Sequence, residues 1–282
     1  MSYATLPDLV LEPLVRAALM EDLGTYGDVT TRAVIPATTT YDASINARAD
    51  GIVSGMQIAQ IAFRLVDPKL EVTTLIADGD ACKAGDTLMT IKGFASSILS
   101  GERVALNFAG RLTGIATLTA GFVAQTKGTS TRITCTRKTT PGLRIVEKQA
   151  VLHGGGFNHR YSLSDAILIK DNHIAAAGGV GAALRAARAV ASHMMKVEIE
   201  VDTLAQLDEV LATGGADVVL LDNMDTPSLI KAVAMADGKI VTEASGNMKL
   251  ERIAEVAATG VNYISSGALT HSAPTLDLGL DF

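Results

Sequence analysis

The chain has 282 residues, 48% of them hydrophobic and 19% charged, with a formal charge of −6. That length and apolar content allow one large or two moderate domains with a sizeable core, and they exclude a disordered polyelectrolyte. The acidic balance argues against nucleic acid as a partner, which usually leaves a basic footprint.

The N-terminal stretch MSYATLPDLVLEPLVRAALMEDLG has no basic n-region and carries Asp8, Glu12, Arg16, Glu21 and Asp22. It predicts an amphipathic helix over 7–23 rather than a signal peptide, with Leu9, Leu14, Ala17, Ala18 and Leu19 on one side. YDASINARADGIVSG predicts two short strands about a turn at Asp50–Gly51. MQIAQIAFRLVD has helical period, and LEVTTLIADGDACKAGDTLMTIKG reads as strands split by glycine turns. This mixture predicts a compact α+β unit, assigned to 1–108. ADGDACKAGDTLMTIKG also resembles the hairpins of biotinyl and lipoyl carriers, but Lys83 lacks the carrier motif at an exposed turn, so a plain hairpin framework is the reading.

From about residue 98 a long helix is expected, ILSGERVALNFAGRLTGIATLTAGFVAQTKG. Strands then alternate with helices: TRITCTR, DAILIK, KVEIEV, DVVLLD, KIVTEAS and VNYISSG, with helical segments between them. Short connections imply a parallel sheet, and apolar strands imply that both faces are covered. With six or seven strands, the polar residues that recur after nearly every one favour a (β/α) barrel, complete or incomplete, over an open doubly wound sheet. The barrel is assigned to 109–268, with 269–282 packing back on the first domain. No uncharged apolar run is long enough to span a membrane. Cys82 and Cys135 have no motif spacing and read as buried free thiols, in keeping with a cytoplasmic protein.

In such barrels the chemistry sits at the carboxyl ends of the strands. Those ends carry Arg137 and Lys138, Lys170, Glu198 and Glu200, Asp222 and Asn223, then Glu243, Ser245 and Gly246, then Ser265, Ser266 and Gly267. GGGFNHR adds His159 and Arg160. Residues 132–173 hold seven Lys/Arg against three acids, a surplus of +4 on an acidic chain. Such a surplus suits a multiply anionic small molecule, and the arginine fork suits carboxylate and phosphate. Glu200 and Asp222, facing those cations, are the expected Mg²⁺ ligands. The ASGN and SSGA turns, with Ser245, Gly246, Asn247, Ser266 and Gly267, suit phosphate. Plainer roles compete at other positions. Glu198 could sit in the sheet wall paired with a lysine, and Asn172 and His173 could cap a helix. His153 and His193 read as surface residues at helix ends, Lys148 as solvated or paired near Glu147, and Arg132 as structural.

Together TRKTTPGLR, EKQAVLHGGGFNHR, LIKDNHI, VEIEVDT, LLDNM, EASGN and SSGALTHS resemble the quinolinate phosphoribosyltransferase family, the carboxylating nicotinate-nucleotide pyrophosphorylases. EDLGTYGDVTT and GERVALNF match in the first part, and Thr136 to His173 fits without a gap. The resemblance implies an N-terminal α/β sandwich, an open seven-stranded barrel and a homodimer or larger assembly. It implies condensation of quinolinate with phosphoribosyl pyrophosphate, giving nicotinate mononucleotide, pyrophosphate and CO₂ for NAD synthesis. By motif, Arg137, Lys138, His159, Arg160 and Lys170 line the anionic pocket. Lys138, Lys170, Glu200 and Asp222 are the catalytic set, with Glu200 and Asp222 on the metal and ribose side. Ser245, Gly246, Asn247, Ser266 and Gly267 cradle the ribose phosphate, and Arg103 reaches into a neighbouring subunit's site. The alternatives are a related ModD-type protein of molybdenum gene clusters, a barrel aldolase using Lys170 as a Schiff base, or an anion-binding regulator.

Overall fold

In the computed structural model, which describes residues 5–282, the chain passes back and forth between two units. One comprises residues up to Ala120 together with Thr140–Gly155 and Ser272–Phe282; the other comprises Gly121–Thr139 and Gly156–His271.

The first unit opens with helix α1 (Asp8–Leu23) and a short α2 (Val29–Val34), whose first turn is capped by the Asp28 carboxylate accepting from Thr31 N–H at 2.9 Å. Strand β1 (Thr40–Ala47), β2 (Gly51–Ile52), α3 (Met56–Val66), β3 (Glu71–Thr74), β4 (Ala81–Cys82) and β5 (Thr87–Phe94) follow. Helices α4 (Ala95–Ala124) and α5 (Arg144–His153) complete this part. β1 and β3 flank β5 antiparallel, while β2 pairs only with β4, so the Asp50–Gly51 turn joins strands of different sheets. The buried stripe of α1 is Leu11, Val15 and Leu19, whereas Leu9 is 86% exposed. This corrects the predicted stripe, of which only Leu19 is buried. Residues four apart stack on one helical face, and here that face is turned to α3, where Arg64 also bonds Asp8 and Glu12 at 2.9 Å each.

Helix α5 is enclosed rather than superficial. Glu147 is fully buried and accepts from Arg111 Nε at 2.8 Å and from Thr140 N–H at 3.1 Å. Lys148 is also fully buried, which corrects its expected solvated placement. His153, expected at the surface, is buried too, with Nδ1 2.8 Å from Ser54 Oγ and Nε2 3.2 Å from Gln149 Nε2. Burial holds its imidazole below the ordinary value of 6.5. Folding therefore excludes a proton that the unfolded ring takes up below that value, so stability falls as the pH drops through it. Thermal melts should show a lower Tm at about pH 5.5 than at about pH 7.5, and His153→Gln should flatten the slope. An unaltered slope in that variant would exclude His153 as its source.

The second unit holds β6 (Arg132–Thr134), β7 (Ile167–Ile169), α6 (Asp171–Ala177), α7 (Val180–Val190), β8 (Val197–Val201), α8 (Leu204–Thr213), β9 (Val218–Asp222), α9 (Thr226–Ala236), β10 (Val241–Ser245), α10 (Leu250–Ala257), β11 (Tyr263–Ser265) and α11 (Ala268–His271). Local signals start the helices: Thr203 and Gln206 form a capping box on α8, and Asp225 caps α9 ahead of Pro227. The strands form one parallel sheet in the order β6-β11-β10-β9-β8-β7. β6 and β7 are its two edges and do not pair with each other, which makes this an open barrel. The six paired strands are one fewer than the seven that the resemblance implies, and Phe157 adds only a single parallel bridge to Thr134. The glycines of GGGFNHR leave no run that could extend that bridge into a ladder.

The last strand, β12 (Leu278–Asp281), belongs to the first unit, where it pairs antiparallel with β1. Asp281 accepts there from Asn46 and Arg48, both at 2.6 Å. Neither cysteine is in a disulfide, and both are buried. Among the described residues no helix is long and apolar enough to cross a membrane.

Candidate active site

The register of the parallel sheet sorts its residues onto two faces. Glu200 lies opposite Leu220, Leu220 opposite Glu243, Asp222 opposite Ser245, and Ser265 opposite Thr134. Side chains alternate along a strand, so Glu198, Glu200, Asp222, Glu243, Ser245, Ser265 and Thr134 share one face. The other face carries Ile133, Ile199, Val201, Val219, Leu221, Ala244 and Ile264, all 0–1% exposed. The polar face is concave. Glu198 on β8 and Glu243 on β10 are separated by β9, a span of about 10 Å in a flat sheet. Yet their carboxylates and the His159 ring bring ligand atoms within 4.8 Å of one another.

The cations gather at the strand ends of this unit. Arg160 donates from Nη1 to the Ala166 carbonyl at 2.8 Å. Its guanidinium pKa is lowered first by burial and then by the neighbouring charge of Arg137, while Glu198 offsets this in part. Two guanidiniums side by side repel unless an anion joins them. Lys138 follows Arg137, and Thr270 Oγ1 donates to its carbonyl at 2.7 Å. Its stem passes so close to Gly267 that an added Cβ there would lie 2.8 Å from Lys138 Cδ. Lys170 ends β7: its Nζ is 3.0 Å from Glu200 Oε2, and its N–H donates to His173 Nδ1 at 2.9 Å, which makes His173 a cap of α6. The Lys170 side chain is 50% exposed and ion-paired, unlike the desolvated amine that a Schiff-base aldolase requires.

Asp222 and the glycine turns interlock. Asn223 Nδ2 donates to the Asp222 carboxylate, and Asn223 N–H donates to the Ser245 carbonyl at 3.0 Å. Asn223, Gly246 and Asn247 all adopt positive φ, at 53°, 92° and 48°. Ser266 N–H donates to the Thr134 carbonyl at 3.1 Å, and its hydroxyl donates to the Met248 carbonyl at 3.1 Å. These bonds hold the ends of β9, β10, β11 and β6 in one rim. Arg103 is on α4 in the first unit, with its side chain 62% exposed and Glu102 at 4.0 Å.

Sequence reasoning placed His159 in the anionic pocket and Glu198 and Glu243 at strand ends, but did not bring the three together. Glu198 pairs with the His159 ring at 2.9 Å rather than with a lysine. Burial, and next the charge of Glu198, push the Glu243 carboxyl up to about 7. The signal lies in the alternation of VEIEV and TEAS. Period two puts Glu198 with Glu200, and Glu243 with Ser245, on the same face.

Two family models cover nearly the whole chain. The quinolinate phosphoribosyl transferase N-terminal domain matches residues 28–113 and the C-terminal domain matches residues 115–281. The probable nicotinate-nucleotide pyrophosphorylase [carboxylating] of Bacillus subtilis is 42% identical over 273 residues, covering 97% of this chain and 93% of the relative. A Mycobacterium leprae nicotinate-nucleotide pyrophosphorylase [carboxylating] is 42% identical over 272 residues, covering 95% of each. Among solved structures, NadC from Streptococcus pyogenes superposes with a TM-score of 0.95 at 39% identity, covering 99% of this chain and 98% of that one. With both domains matched in order over a site of this composition, the chain belongs to the quinolinate phosphoribosyltransferase family.

Proposed function

We infer that this chain is a quinolinate phosphoribosyltransferase, a pentosyltransferase that makes nicotinate mononucleotide in de novo NAD synthesis. The observation that carries the reading, beyond family membership, is the pairing of Arg137 with Arg160 beside a face bearing Glu200 and Asp222. Quinolinate brings two carboxylates and its partner several phosphates. Arginine binds planar oxyanions through both oxygens, so Arg137 and Arg160 are assigned to quinolinate. Lys138, beside Gly267, and the Ser245–Gly246–Asn247 and Ser266–Gly267 turns are assigned to the phosphoribosyl half, where main-chain N–H groups can face phosphate.

Holding both substrates in one orientation sets the pyridine nitrogen against ribose C1. The nitrogen lone pair forms the new bond to C1 while the bond from C1 to the pyrophosphate oxygen breaks and its electrons leave with pyrophosphate. Positive charge developing on the ribose is favoured by a nearby carboxylate, a role assigned to Asp222. Lys170 and Lys138 stabilise the departing pyrophosphate. The alkylated, cationic ring then accepts the electron pair left when the adjacent carboxylate departs as CO₂, and a proton replaces it.

The donor set at Glu200 and Asp222 suits a hard divalent cation. Both are carboxylates on neighbouring strand ends and face the same side, and Mg²⁺ typically takes one or two such oxygens, keeps waters and bridges to substrate phosphates. Mg²⁺ would neutralise pyrophosphate charge there. His159 lines the same pocket through its neighbour Arg160. We assign Arg103 to the site of a second copy in a cytoplasmic homodimer, a reading supported by its exposure on α4.

The test is incubation with quinolinate, phosphoribosyl pyrophosphate and Mg²⁺, reading nicotinate mononucleotide and CO₂ together. Absence of both products, or turnover of nicotinate in place of quinolinate, would overturn the assignment. For Arg103, two inactive variants mixed, Arg103→Ala and Lys170→Ala, should regain about a quarter of wild-type activity, since random reassortment restores one intact site in half of the dimers. A mixture as inactive as its parents would remove Arg103 from the shared site.

A further inference from the structure

His159 lies between two buried carboxylates and the main chain of Arg160. The Arg160 N–H donates to His159 Nδ1 at 2.8 Å. A backbone amide only donates, so Nδ1 carries a lone pair and the proton of the neutral ring sits on Nε2. Nε2 is 2.9 Å from Glu198 Oε2 and 3.8 Å from Glu243 Oε1, so it donates to Glu198. The three side chains offer donor atoms close enough for a cation, all within 4.8 Å. A cation would need the Nε2 lone pair, and the Arg160 amide selects the tautomer that lacks it. The hydrogen-bonded relay is therefore Glu198–His159–Arg160, with the Glu243 carboxyl packed beside it.

Both carboxylates are costly where they sit. Glu198 and Glu243 are 6% and 5% exposed, and Oε1 of each is buried without a hydrogen bond. Well-packed apolar residues at such positions are often as stable or more so, and a buried polar group with an orphan atom calls for an explanation. Two adjacent buried carboxylates do not ionise together readily. Burial first, and then the neighbouring Glu198, push the Glu243 carboxyl up to about 7. Glu198 lies close enough to Arg160 to favour the charged guanidinium.

We propose that Glu198, with Glu243 packed beside it, is a positioning residue of the anion site: Glu198 holds His159 with its proton on Nε2, and the Nδ1 lone pair so fixed pins the main chain of Arg160. Neither needs to touch substrate. The effect on binding rests on the reading of this site as a quinolinate site, whereas the hydrogen-bond arrangement does not.

Two measurements test this. ¹⁵N NMR of the full chain with labelled histidine reads the tautomer without any substrate. The His159 resonances, assigned by their loss in His159→Gln, should show a bare Nδ1 and a protonated Nε2 at neutral pH. An Nδ1–H tautomer or an imidazolium there overturns the proposal. Calorimetry gives the second readout. Glu198→Ala should weaken quinolinate binding about tenfold or more while changing phosphoribosyl pyrophosphate binding by less than about twofold. Glu198→Gln should recover most of the loss, because its amide oxygen still accepts from Nε2–H. A lowered Tm with unchanged quinolinate affinity would show a merely structural role and overturn the proposal. Should Glu198→Ala not fold, His159→Asn and His159→Gln decide: the Asn oxygen falls near the Nδ1 position and should preserve more affinity, and equal losses overturn the relay. A wild-type chain that binds no quinolinate would defeat the functional reading alone and leave the NMR result to judge the relay.

Discussion

Arg160→Ala should weaken quinolinate binding by about 2–5 kcal/mol, the usual loss when one partner of a buried, hydrogen-bonded charge pair is truncated. Three features set that size. The guanidinium is held partly out of water beside Arg137, and both terms disfavour its charge. A bound carboxylate relieves them at once, so the free energy of the pair appears on binding rather than on folding. Arg160 Nη1 is also committed to the Ala166 carbonyl at 2.8 Å, which orients the remaining donors. Lysine cannot reproduce that fork, so Arg160→Lys should recover only a small part of the affinity. Isothermal titration with quinolinate alone measures the effect, and an affinity equal to wild type would remove Arg160 from the carboxylate site.

Gly246→Ala should lower kcat/KM by about a hundredfold, the scale expected when reacting groups are displaced by an ångström. A Cβ at this position would lie 2.6 Å from Asn223 Cγ and 2.8 Å from Asn223 N, at a φ of +92° that alanine rarely adopts. Asn223 cannot retreat freely, since its own N–H is bonded to the Ser245 carbonyl at 3.0 Å and its φ is also positive. The strain therefore passes to Asp222, whose carboxylate the Asn223 amide holds. Steady-state kinetics should show a raised KM for phosphoribosyl pyrophosphate together with a lowered kcat. A variant with wild-type kinetics would mean that the β9 and β10 turns are not part of the site. Gly267→Ala is the milder comparison, because the Lys138 stem it meets can swing aside.

Much of this arrangement was legible in the sequence. Strand and helix alternation after residue 130 gives the barrel because each apolar run is short, bounded and followed by a helical period. The charged strand ends point to the site because every such strand delivers its polar residue to the same rim. Other features depended on partners remote in sequence. The true stripe of α1 was hidden because Leu9, Leu11, Leu14 and Val15 are all apolar, and only the position of α3 selects among them. Lys148 reads as solvated because burial of a helix face depends on what covers it. Glu243 was not brought together with His159 and Glu198 because its significance comes from Glu198, two strands away, and curvature of the sheet is not encoded in any single strand. Phe157 makes a bridge and not a strand because the three successive glycines before it lack the side chains that stabilise a ladder.

The pairing of β1 with β12 couples residues 235 positions apart, as in the contact of Asn46 with Asp281. During synthesis β1 would emerge early and wait beside β5 with one edge open until nearly all of the second unit had been made. An open edge of that kind invites pairing with other chains. Nascent protein halted before residue 278 should therefore be more prone to self-association than the released chain, and slowing translation late in the message should worsen its yield more than slowing it early.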